Sequence, residues 1–167
     1  IVVAIYLLFV LCQLLGEAYS RLSVTHKITV SEEWNLIIVN RWNELPEDYS
    51  VELTELSNGQ KVDSRIYPYL QEMFDAAREE GVYPVVRAGY RTAEEQQEIL
   101  EDRIQTYINQ GYSRSRAERT VKEWVALPGT SEHQLGIAVD IRADQYKCTN
   151  DVVYAWLEKA AYNYGFL

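Results

Sequence analysis

The 167 residues predict an α+β domain: a small, mainly antiparallel sheet with flanking helices, preceded by an apolar N-terminal segment. Three observations carry this. Leu70, Met73, Phe74 and Ala77 recur at the spacing of one helix face. Two short runs, "VYPVVRAGY" (82–90) and "GIAVDIR" (136–142), have strand length and strand composition. Helices and strands interleave, but their connections are long and irregular, unlike the regular crossovers of a parallel sheet. The length suits one domain with a core of its own.

The elements follow in order. The first sixteen residues, "IVVAIYLLFVLCQLLG", carry no charge, which predicts a membrane-spanning anchor or the apolar region of a secretory signal. The chain begins at Ile1 rather than Met, so an earlier segment is expected. Residues 17–35 are mixed and polar and read as a linker containing His26; residues 36–167 form the folded domain. "LIIVN" (36–40) has strand character and runs into the turn-prone "NELPEDYS". A helix through "VDSRIYPYLQEMFDAAREE" ends at Gly81, a natural residue to follow a helix C-terminus. Thr92 followed by Glu95 is a capping-box pattern opening a helix that runs toward Gly111. Ser113 opens another through "RSRAERTVKEWVA", halted by Pro128 and Gly129. Ile137, Val139 and Ile141 alternate with Ala138, Asp140 and Arg142 in a two-faced strand, and Asn150 is expected to cap the last helix.

A net charge of −9 argues against nucleic acid or an anionic lipid surface as the main partner, since both are approached through Lys and Arg. Cys12 and Cys148 make no disulfide framework. Chemistry concentrates in "PGTSEHQLGIAVDI" (128–141), where His133 precedes Asp140 by seven residues. On one helix their Cα atoms would stand about 10 Å apart, too far for one metal ion. A chain that reverses at Gly136 and enters a strand brings the two side chains together instead. Imidazole plus carboxylate is part of a usual catalytic zinc site, and it is also an ordinary hydrogen-bonded pair. Asp140, flanked by apolar residues, needs a cation or strong donors. No Gly-x-Ser-x-Gly elbow surrounds Ser131, which disfavours a serine hydrolase.

"SEHQLGIAVD", of the form Ser-x-His-x-x-Gly-x-Ala-x-Asp, follows "AGYRTAEEQ" in the chain. This combination resembles the VanY-type zinc D-alanyl-D-alanine carboxypeptidases, within the LAS peptidases of hedgehog-like and D-Ala-D-Ala-peptidase-like fold. The likeness runs from about Leu36 to Leu167 and takes in "VNRWNELPEDY" and "VDSRIYPYLQEMFDAAR". It implies that His133 and Asp140 are two of three Zn2+ ligands. By the same resemblance Arg91 binds substrate and stabilises the oxyanion, Gln96 contacts the peptide, and Ser131 supports substrate binding by hydrogen bonding. It further implies a bacterial protein outside the cytoplasm, anchored or secreted through its N-terminal segment. Its partner would be a peptidoglycan stem peptide ending in D-Ala-D-Ala.

The sequence departs from that family in one respect. The Glu-x-x-His element that supplies the third ligand and the general base is not found, and "AYNYGFL" closes the chain. His26 does not match that element, and Glu132, although next to His133, lacks the reach of a base. The expectation is a piece of a longer peptidase, truncated at both ends, whose 167 residues alone hold zinc poorly and are inactive. An L,D-carboxypeptidase or endopeptidase of the same fold, and a non-catalytic wall-binding domain, are the alternatives.

Overall fold

Two separate antiparallel strand pairs and four α-helices make up the architecture, as seen in a computed structural model that describes residues 34–167. The apolar segment 1–16 and His26 lie outside the described residues. Trp34–Leu36 form one 3-10 turn, and Ile37–Leu167 form one unit. Strands β1 (Leu53–Glu55) and β2 (Lys61–Asp63) pair antiparallel, Leu53 opposite Asp63 and Glu55 opposite Lys61. Helix α1 (Tyr67–Glu79) follows, with Pro68 in its first turn where a missing N–H costs nothing. Strand β3 (Pro84–Ala88) leads through residues 89–92 into α2 (Ala93–Asn109), and α3 (Arg114–Val121) folds back. Strand β4 (Asp140–Ala143) pairs antiparallel with β3, Pro84 opposite Ala143 and Ala88 opposite Asp140, with an irregularity between Val86 and Ala88. Helix α4 (Asn150–Ala160) closes the unit.

Burial follows the sequence pattern. The α1 face of Leu70, Met73, Phe74 and Ala77 is buried as its spacing requires. Leu100 and Ile104 of α2 pack with Ala117 and Val121 of α3 and with Val125. At roughly 1.5–3 kcal/mol for each large apolar side chain removed from water, these faces outweigh any local propensity. Capping fixes where α2 begins: Thr92 Oγ1 accepts from the Glu95 amide (3.2 Å), and Glu95 Oε2 accepts from the Thr92 amide (2.8 Å).

Five local expectations need correction. The stretch from Val62 is not helical at its start: Lys61–Asp63 pair as β2, and the helix begins only at Tyr67, next to Pro68. Residues 36–40 are not a strand. Asn40 Oδ1 accepts from the Trp42 and Asn43 amides and turns the chain back on itself, while Ile38 stays 70% exposed. The helix after Ser113 ends at Val121, because the next residues tighten into a turn in which the Trp124 amide bonds Val121 O (3.1 Å). β4 starts at Asp140 rather than Ile137. Its partner β3 ends at Ala88, and the chain beyond turns away toward β2, leaving 137–139 outside the pairing. Asn150 is the first residue of α4, not its cap: Thr149 holds that position, and Asn150 Oδ1 accepts from the Ala143 amide (2.9 Å).

The β1–β2 hairpin, which hydrophobic periodicity did not reveal, is what the two motif-bearing loops rest on. Lys61 O accepts from the Tyr90 amide (2.6 Å), and the Asp63 amide donates to Gly136 O (2.9 Å). The hairpin turn is held to β3 as well, through Asn58 Nδ2 on Val86 O (2.8 Å) and Gln60 Oε1 on the Gly89 amide (3.2 Å). Contact is so close that a Cβ at position 89 would lie 2.1 Å from Lys61 O. Gly136 combines a φ of +78° with a Cβ position 3.2 Å from the Asp63 nitrogen.

Two stability measurements check this framework. Thr92→Ala removes the capping hydroxyl and is expected to cost about 1 kcal/mol in urea unfolding. Gly89→Ala forces the loop off β2 and is expected to cost about 1–3 kcal/mol. A Gly89→Ala protein as stable as wild type would contradict the packing described.

Candidate metal centre

His133 lies in the short 3-10 turn Glu132–Leu135, and Asp140 opens β4. The link between them is Gly136, whose left-handed conformation ends the turn and sends the chain toward β3. The two side chains converge, with His133 Nε2 3.6 Å from Asp140 Oδ1.

The protonation pattern of the ring follows from its other nitrogen. His133 Nδ1 stands 2.7 Å from Gly89 O. A carbonyl oxygen only accepts, so Nδ1 carries the proton and Nε2 of the neutral ring presents a lone pair. That lone pair faces a carboxylate oxygen, another acceptor, at a distance too long for a hydrogen bond. Two acceptors turned toward each other require either a proton on the imidazole or a cation shared between them. Ligand atoms on one tetrahedral zinc stand about 3.4 Å apart, given bonds of about 2.0–2.2 Å, so the observed separation fits a common ion. A backbone carbonyl on the far ring nitrogen is also the usual way of orienting a metal-binding histidine.

Arg91 completes the near wall. Its Nη2 donates to Asp140 Oδ2 (3.1 Å), and its amide donates to His133 O (3.2 Å). The Asp140 carboxylate therefore offers one oxygen to the His133 side and the other to a guanidinium. Asp140 is half exposed and His133 mostly covered, so the pair opens to solvent from the aspartate side.

The remaining candidates occupy different places. Ser131 immediately precedes the turn; it is buried, and its side chain makes no capping bond. Gln96 is 2% exposed within the first turns of α2. Its Nε2 donates to Ala126 O (2.8 Å), which ties α2 to the chain leading into the motif. Its Oε1 is buried with no hydrogen-bond partner among the described residues. Thus His133, Asp140 and Arg91 share one cluster, while Gln96 stands behind the loop that leads to it. Among the described residues no group of three or more His, Cys, Asp or Glu is placed to hold one metal ion, so His133 and Asp140 offer two ligands between them. A groove of about 370 Å³ runs past His133 and Ser131 between residues 39–41 and 122–127.

Sequence reasoning passed over Asp63, which is fully buried under Gly136 with its carboxylate bonded by Arg65. Its only trace is an Asp followed two residues later by an Arg in "VDSR", a spacing too common to signal burial.

Comparison with known proteins identifies the family. Residues 59–167 match the family model described as VanY, D-alanyl-D-alanine carboxypeptidase. A D-alanyl-D-alanine carboxypeptidase of Enterococcus faecalis (strain ATCC 700802 / V583) is 54% identical over 136 residues, 81% of this chain and 51% of that protein. The chain therefore spans about half the length of that relative. Two solved structures are each 54% identical. VanYB in complex with D-alanine-D-alanine superposes with a TM-score of 0.77 over 81% of this chain and 75% of that one. A Zn(II) complex of a variant of the D,D-pentapeptidase VanY from a VanB-type vancomycin-resistance cassette gives 0.76 over 80% and 75%. With the motif residues, their convergence and these matches together, the chain belongs to the VanY family of D-alanyl-D-alanine carboxypeptidases.

Proposed function

We propose that this chain carries the substrate-facing half of a zinc-dependent D-alanyl-D-alanine carboxypeptidase that trims peptidoglycan stem peptides. The observation that carries the reading is the pair of acceptors, His133 Nε2 and Asp140 Oδ1, set 3.6 Å apart with Arg91 on the second carboxylate oxygen. His133 and Asp140 would hold the ion. When bound, zinc supplies Lewis-acid polarisation of a peptide carbonyl and makes water acidic enough to attack near neutral pH. Family membership is what selects zinc over a simple ion pair at these residues.

Each side chain has a distinct task. The Gly89 carbonyl holds the His133 ring in the tautomer that keeps Nε2 unprotonated. Arg91, always charged, supplies several donors to the oxyanion that develops when the scissile carbonyl becomes tetrahedral. Part of its charge is spent on Asp140, which also holds the guanidinium in place. Ser131 and Gln96 are both buried, so they act on the peptide through the loop they hold, Gln96 by tying α2 to Ala126 O. The proton taken from water needs a base, and the family's Glu-x-x-His element, absent from these 167 residues, would provide it along with the third ligand. The complex of VanYB with D-alanine-D-alanine supports the same bond preference here.

Cell-wall action implies placement outside the cytoplasm, and the charge-free segment Ile1–Gly16 supports a tether or a secretory signal. Among the described residues no helix is long and apolar enough to cross a membrane.

The reading is tested in a chain extended through a downstream Glu-x-x-His. His133→Ala should lower bound zinc and activity together. Arg91→Ala should keep zinc while lowering kcat by about 10²–10³-fold, the loss seen when one oxyanion donor is removed. Equal zinc content in wild type and His133→Ala would overturn the ligand assignment. Stem-peptide analogues varied in their last two residues, with products identified by mass, separate D,D- from L,D-carboxypeptidase and endopeptidase activity. If the downstream coding sequence holds no Glu-x-x-His, the wall-binding reading replaces the enzymatic one.

A further inference from the structure

The turn that carries His133 is pinned at three carbonyls by three different parts of the chain. His133 O accepts from the Arg91 amide (3.2 Å), Leu135 O from the Tyr49 hydroxyl (2.6 Å), and Gly136 O from the Asp63 amide (2.9 Å). The first and third come from backbone; the second comes from a side chain, on a stretch with neither helix nor strand between residues 44 and 52. A four-residue 3-10 turn has poor internal hydrogen bonding, and its terminal carbonyls need outside donors to hold one geometry.

Tyr49 does not act alone. Arg65 bonds the Tyr49 side chain and also bonds the fully buried Asp63 carboxylate, through its amide (2.8 Å) and its Nε (3.0 Å to each oxygen). The same residue, Asp63, meets Gly136 through its backbone and Tyr49 through Arg65. Hydroxyl, guanidinium and carboxylate therefore form one chain that ends on the histidine turn. Burial, and after it the Asp63 carboxylate, pushes the Tyr49 phenol above its ordinary value. It remains a donor to Leu135 O through neutral and mildly alkaline pH.

We propose that Tyr49, backed by the Asp63–Arg65 pair, is a positioning residue for His133, holding the turn so that Nδ1 reaches Gly89 O and Nε2 faces Asp140. The Tyr49 hydroxyl bonds the backbone of Leu135. Its influence passes through two residues of backbone. The proposal rests on reading His133 as a zinc ligand, but the tautomer of its ring can be observed with no metal present.

Tyr49→Phe removes one hydroxyl and keeps the ring, so the variant is expected to fold. Two measurements decide the matter: imidazole 15N shifts of His133 in the metal-free protein, and zinc affinity by competition with a chelator. Wild type should show a single Nδ1–H tautomer. Tyr49→Phe should show a mixture of tautomers and bind zinc about three- to tenfold more weakly, less than the roughly 10–100-fold typical when a group touching the ligand is lost. Asp63→Asn, which keeps shape and removes charge, should move both readouts in the same direction. Unchanged tautomer and unchanged zinc affinity in Tyr49→Phe would overturn the proposal, whether or not thermal stability falls. A tautomer shift in the variant, alongside wild type that does not bind zinc at His133, would support the positioning role while refuting the ligand reading.

Discussion

The hydrogen bond between His133 Nδ1 and Gly89 O is the interaction on which the site depends. Because the carbonyl cannot donate, it dictates where the ring proton sits and leaves Nε2 as a lone pair directed at Asp140. The bond also joins two loops 44 residues apart in sequence. It exists only because residues 89–91 and 133–136 both dock on the short strand β2, which takes the Tyr90 amide at one end and gives its own amide to Gly136 at the other. A three-residue strand with little apolar area of its own thereby sets the relative height of the two motifs.

Arg91 is located by the same logic from the opposite direction. The residue before it is tied to Lys61 O, and the residue after it is the capping threonine of α2. Its backbone has almost no latitude, and its side chain ends on Asp140, where strand β4 begins opposite Ala88. Strand end, helix start and hairpin edge thus meet within a few residues. This concentration of secondary-structure termini is where polar backbone groups are free to be used, and where a reactive group can be presented to solvent without unravelling a regular element.

Much of this was legible in the sequence, for identifiable reasons. The α1 face of Leu70, Met73, Phe74 and Ala77 and the Thr92–Glu95 box are local patterns with strong physical signatures, and both are present as read. The convergence of His133 and Asp140 followed from Gly136 breaking the chain between them. What escaped was non-local. The β1–β2 hairpin is too short for periodicity to reveal, and its Asn58–Gly59 turn carried the only cue. Asn40 and Asn150 looked like a strand terminus and a helix cap. The first instead folds its own loop, and the second satisfies the Ala143 amide. Gln96 looked like an exposed helical residue or a peptide contact; burial against Ala126 is invisible until α2 and the loop before the motif are placed together.

The clearance at Gly89 has a consequence for how this fold tolerates change. Lys61 meets the Gly89–Tyr90 loop through its peptide group, and its side chain is exposed. Residue identity at position 61 is therefore free to drift among strand-compatible types, since any of them brings the same oxygen to the same place. Position 89 has no such freedom, because one added carbon has nowhere to go. The constraint across this contact is one-sided: it falls on the supported glycine and not on the exposed lysine whose carbonyl supports it.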